Sequence, residues 1–177
     1  MSADDPGDVN EDFLLDSWGQ APSRLPEVDP LRDADALQEG QLIDLRVSAL
    51  GSVAALLFDL RTSLQFDEGN ASLLVVKGLR DLRWRQARVI SPLTAFTVMS
   101  SGTTVDEVGL FVLELGFFPD ANLRIQGAEA EFYVVEIPRI GEAPPDYSEA
   151  SFEGVKDSLP AWSSACSLLQ ASRRTSP

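Results

Sequence analysis

The stretch from Leu42 to Arg61 constrains this chain more than any other. Ile43, Leu45, Val47 and Ala49 alternate with more polar neighbours, Gly51-Ser52 offers a Gly-first two-residue turn, and Ala54, Leu56, Phe58 and Leu60 resume the alternation. A period of two on both sides of such a turn is the signature of a β-hairpin with one buried face. Pairing Leu50 with Val53 sets Leu45 opposite Phe58 and Val47 opposite Leu56. It also sets Asp44 opposite Asp59 on the outer face, where like charges repel unless Arg46 and Arg61 intervene. The sequence therefore predicts a four-charge cluster of Asp44, Arg46, Asp59 and Arg61.

Six more strands are predicted at 72–77, 79–85, 95–100, 109–116, 122–125 and 129–137, each bounded by Gly, Pro, Asn or Asp. Asp67-Glu68-Gly69-Asn70, Pro119-Asp120 and Gln126-Gly127 are the predicted turns. This spacing indicates a mainly β fold, with α+β as the variant: an antiparallel meander, sandwich or open barrel with short terminal helices. With 177 residues, one domain is expected. Residues 1–10 form an acidic leader expected to be disordered, and the β-rich domain runs over 11–169. Phe13, Leu14, Leu15 and Trp18 are its first anchors, able to form a short docking helix. Pro22, Pro26 and Pro30 imply an N-terminal strap over 19–40, inside which Asp29-Pro30 starts a short helix directing Leu31, Ala34 and Leu37 inward. At the other end Ser148 caps a predicted helix over 148–159, with Phe152, Val155 and Leu159 on one face and Pro160 as its stop. Trp162, Leu168 and Leu169 are expected to pack back, and 170–177 to fray.

The chain has no histidine, which removes the commonest general base and zinc ligand and every Ser-His-Asp or Cys-His arrangement. The single cysteine, Cys166, has no basic residue nearer in sequence than Arg173, so nothing nearby along the chain activates its thiol. Neither GxxxxGK[ST] nor GxGxxG occurs. Adjacent carboxylates such as Asp106-Glu107 read as solvated turns, and Glu129 and Glu131 as exposed alternates on one strand face. No catalytic residue, cofactor or metal site is expected. With one thiol, no signal peptide and no apolar run of bilayer length, the expected compartment is the cytoplasm, without membrane association.

Charge is unevenly spread. Residues 1–40 carry 11 acidic and 2 basic side chains, 41–100 carry 5 and 7, and 101–177 carry 12 and 5, giving a net charge of −14. Such a surplus repels nucleic acid and attracts cationic partners. Lys77, Arg80, Arg83, Arg85 and Arg88, with Trp84 interleaved, form a candidate basic patch. An internal or partner-facing electrostatic role suits it better than nucleic-acid binding. The order of hairpin, a strand carrying Gly78-Leu79-Arg80-Asp81-Leu82-Arg83-Trp84, and paired strands with a Pro-Asp turn resembles small β-rich bacterial immunity proteins of polymorphic toxin systems. That resemblance implies a non-enzymatic protein that blocks a toxin domain, and it assigns no binding residue. The expected function is thus a protein-interaction module that meets a basic protein partner through acidic surfaces. The alternative is a small-molecule binding or carboxylate-dependent enzyme domain, its pocket lined by acids such as Asp44, Asp59 or Glu114.

Overall fold

The computed structural model describes residues 24–87, 91, 93–148 and 151–175. The predicted strands are present as β1 Gln41–Ser48, β2 Val53–Asp59, β3 Ala71–Lys77, β4 Asp81–Gln86, β5 Phe96–Val105, β6 Phe111–Phe118, β7 Ala121–Gly127 and β8 Glu129–Glu136. A further strand, β9, covers Ser167–Thr175. All join one antiparallel sheet in the order β4-β7-β6-β5-β1-β2-β3-β8-β9.

The sheet bends on itself. Its two halves pair as neighbouring strands over a short stretch, where Gln41 and Leu42 of β1 meet Thr97 and Phe96 of β5. Beyond that hinge β3 and β7 come into contact although they are not neighbours in the sheet. The facing sides enclose the main core, with Leu56, Phe58, Leu74, Val76 and Phe132 from one half and Phe111, Leu113, Leu115, Leu123 and Ile125 from the other. Trp84 stands edge-on to Phe96 at 5.1 Å inside this layer. A second core lies on the outer side of β2, β3 and β8, where Leu57, Leu73, Val75 and Tyr133 are covered by Ile137, Ile140, Trp162 and Cys166.

The hairpin register differs from the predicted one by two residues. Ser48 pairs with Val53, Val47 with Ala54 and Leu45 with Leu56. The connection is therefore the four-residue loop from Ala49 to Ser52, in which Gly51 N–H donates to Ser48 Oγ at 3.1 Å. Ser52, not Gly51, takes the left-handed conformation, at φ 52°. A shift of two preserves the period, so Leu45, Leu56 and Phe58 face the main core as expected. A bulge between Leu42 and Asp44 then moves Ile43 to the second core and puts Leu42 in the main one. Asp59 consequently lies opposite Gln41 rather than Asp44.

The strap is present over its described part and ties the halves together. Ala171 N–H donates to the Arg24 carbonyl on the β9 side, and Asp35 and Glu39 N–H donate to Ser101 and Val98 carbonyls of β5. The predicted helix after Asp29 is a run of turns, because Asp35 and Glu39 adopt left-handed φ of 57° and 66°. Asp29 still caps the first turn, accepting from Leu31 N–H at 3.0 Å. Leu31 and Leu37 are buried as expected, but Ala36 is buried in place of Ala34. The leader and the Phe13–Trp18 anchors lie outside the described residues.

Four other expectations change. Ser148 donates its N–H and hydroxyl to Asp146, holding that carboxyl below the usual range, instead of capping a helix. The helix α1 spans only Phe152–Val155, capped by Ser151, and runs into a 3-10 turn over Lys156–Ser158; Val155 and Leu159 are buried but Phe152 is exposed. Gln126-Gly127 is the end of β7 rather than a turn, and the chain crosses there to the other half of the sheet. The described part of the expected frayed tail, 170–175, belongs to strand β9, which pairs with β8 from Glu129 to Glu136. It carries few apolar residues because its inward side chains are held by polar bonds: Ser172 Oγ–H donates to Asp29 at 2.7 Å and Arg174 to the Leu31 carbonyl at 2.6 Å. Among the described residues no helix is long and apolar enough to cross a membrane.

Candidate functional site

The predicted four-charge cluster exists as two separate pairs. At the end of β2, Asp59 is fully buried and Arg61 is 3% exposed. Arg61 Nε and Nη2 both reach the carboxylate, the latter at 2.6 Å. Its remaining N–H groups donate to the carbonyls of Ile140, Ala143 at 2.9 Å and Ser158 at 2.8 Å. One guanidinium thus stitches the backbone at Ile140, Ala143 and Ser158 to the sheet and satisfies a buried charge on every side. Burial and the nearby Asp59 carboxylate push the Tyr147 phenol up to about 12.

Asp44 and Arg46 sit apart from that pair, half-exposed and 3.7 Å from each other. Trp162 Nε1–H donates to Asp44, and the Arg46 guanidinium lies 4.7 Å from the Trp162 ring centroid. This is a cation-π clamp over the second core. Glu114, the third acid considered for a pocket, is on β6 in the other half, bound to Arg124 Nε at 3.3 Å. The three acids do not converge.

The basic run is dispersed as well. Lys77 turns toward β8, where its ammonium lies 3.2 Å from Glu131. Glu131 is buried rather than exposed, because Arg173 of β9 and the Tyr133 hydroxyl, at 2.8 Å, also bond it. Burial first, then the Glu131 hydrogen bond and charge, push the Tyr133 phenol up, and the same carboxylate raises Arg173. This group was missed in the sequence: its members lie on three strands, and Glu131 keeps the same alternation as an exposed acid. Arg80 lies at the β3-β4 connection, and Arg88 lies outside the described residues.

Arg83 and Arg85 remain together. They point from β4 onto the outer face of the β4-β7-β6-β5 half, into an open groove of about 480 Å³ lined also by Ser100, Glu114, Gly116, Asn122 and Arg124. Cross-strand pairing arranges this face in rows: Arg85, Asn122, Gly116 and Ser100 in one, and Arg83, Arg124, Glu114 and Gly102 in the next. Arg83 is thus set directly opposite Arg124, and Asp81 bridges them, 2.8 Å from the first and 3.4 Å from the second.

A different surface forms where β1 and β3 begin and β2 and β8 end. Exposed Glu39, Asp67 and Glu142 lie there on loops, with exposed Glu136 as the last residue of β8. Glu136 accepts from the neutral Asn70 amide at 3.1 Å. No cation among the described residues bonds the other three. No group of three or more His, Cys, Asp or Glu among the described residues is placed to hold a metal ion. No family model matches this chain, and no curated protein matches it in sequence.

Proposed function

We propose that this chain is a non-catalytic protein-interaction module that captures a basic protein partner at its acid-rich loop end. The observation that carries this reading is the placing of Glu39, Asp67, Glu142 and the β8 terminal residue Glu136 around one sheet end, where no described cation bonds the first three. The Arg61 bonds to the Ile140, Ala143 and Ser158 carbonyls hold part of that end in place, so little ordering accompanies binding. The net charge of −14 steers a cationic surface toward it over a Debye length. Neutralisation of a toxin domain is the form of this function that the resemblance to immunity proteins implies.

The test is kinetic. Proteins captured by the wild-type chain would be purified, and their association rates with it and with the Glu39→Gln/Asp67→Asn/Glu142→Gln variant measured at low and high salt. Steering predicts a rate that falls by about tenfold or more as salt rises. A partner that associates equally fast at both, or binds the triple variant unchanged, rules the reading out.

A further inference from the structure

We infer that the groove on the outer face of the β4-β7-β6-β5 half is a docking site for an acidic peptide segment, whose carboxylate lies over Asn122 among Arg83, Arg85 and Arg124. This goes beyond the acid-rich end proposed above and stands independently of it.

Three features point there. Two arginines directly opposite on neighbouring strands repel one another, and Arg85, two residues along, adds a third guanidinium to the same face. The described carboxylates only partly offset this: Asp81 bonds Arg83 and Arg124, Glu114 bonds Arg124, and neither bonds Arg85. An additional carboxylate from outside completes the set in the bidentate manner that guanidinium favours. The floor is also kept bare. Gly116 lies where a Cβ would come within 2.7 Å of Ser100 Oγ, and Gly102, beside the groove on the same face, has open space above it. Side chains therefore wall the groove without filling it, and Asn122 and Ser100 offer amide and hydroxyl groups to a peptide backbone.

The third feature decides between an acidic peptide and a simple anion. Phe118 of β6 continues this face and is 67% exposed, and Met99, at the β5 bulge beside it, is 55% exposed. Aromatic, Met and Arg side chains in one patch are the composition of a protein contact. A carboxylate flanked by an apolar residue satisfies both parts, whereas inorganic phosphate uses only the arginines. A nucleic acid strand is the other polyanion that three guanidinium groups can hold, and the test includes one.

The experiment is calorimetric titration of the full chain with a short blocked peptide alternating glutamate and leucine. Parallel titrations use the same peptide with glutamine for glutamate, inorganic phosphate and oligothymidylate. Arg85→Gln is the test variant, since the Arg85 side chain makes no bond to the described fold. Saturable binding of the glutamate peptide, weakened about tenfold or more by R85Q and absent with the glutamine peptide, is expected. No saturable binding, or equal binding of the glutamine peptide, overturns the inference. Phosphate or oligothymidylate binding as tightly with the same R85Q sensitivity overturns the peptide assignment. So does sedimentation showing self-association that R85Q abolishes, because a second copy would then occupy the groove.

Discussion

Replacing Arg61 by methionine tests the account of this fold most directly. The substitution keeps an unbranched, buried side chain but removes the guanidinium that neutralises Asp59 and serves the Ile140, Ala143 and Ser158 carbonyls. Asp59 is fully buried, so its charge is left with the backbone N–H of residue 61 at 3.0 Å but with no neutralising cation and no solvent. Breaking a buried pair from one side costs about 3–5 kcal/mol. With a urea dependence of about 2 kcal/mol per molar, the unfolding midpoint falls by about 2 M. The measurement is urea unfolding followed by tryptophan fluorescence, in which Trp162 reports the second core that the stitched segment covers. The Asp59→Leu/Arg61→Met double variant separates the two contributions. It removes the stranded charge but leaves the three carbonyls without their donor, so it should recover part of the loss and not all. A single variant that loses less than about 1 kcal/mol, or a double variant as unstable as the single one, refutes the reasoning.

A Cβ on Gly127 would meet Val76 Cγ1 and lie 2.8 Å from the Lys77 carbonyl oxygen, both at the β3-β7 crossing. Gly127→Ala should therefore cost about 1–3 kcal/mol in urea unfolding, whereas Gly102→Ala, with open space, should change stability by less than about 0.5 kcal/mol; equal effects would contradict the bent sheet. The Tyr147 phenol holds its proton up to about 12, above its ordinary value of 10.0, so its stabilising share is complete below pH 10.0 and is lost as pH rises to about 12. Tyr147→Phe should flatten the loss of stability across that window, measured as urea midpoint against pH, and an unchanged slope would exclude the burial argument. Deleting residues 167–177 strips β9 from β8 and takes Arg173 from Glu131, so the truncated chain should fail to give a cooperative unfolding transition. A truncation that melts like the full chain would restore the frayed-tail expectation.

The strands were legible because alternation is local. Leu45, Leu56 and Phe58 face the main core in either register, since a shift of two residues leaves the face unchanged. Asp44 and Asp59 show the limit of that logic: the Leu42/Asp44 bulge and the four-residue loop set their true partners, and neither is encoded in a period. β9 escaped notice because Ser172 and Arg174 face inward through bonds to Asp29 and Leu31, far away in the chain, rather than through apolar alternation. The groove was half visible, with Arg83 and Arg85 on one face of β4, but Arg124 and Gly116 reach it only through pairing with β7 and β6.

By itself the sequence determined that this chain forms antiparallel strands, which side of most strands is buried, and that carboxylates exceed cations at both ends. These follow from side-chain period and composition, properties of neighbours along the chain. Only the tertiary structure decided that the strands make one bent sheet, that Glu131 collects Lys77, Tyr133 and Arg173 in its interior, and that three arginines meet over a bare floor. Each of those depends on which distant strand supplies the hydrogen-bonded neighbour, and a two-residue period carries no information about that choice.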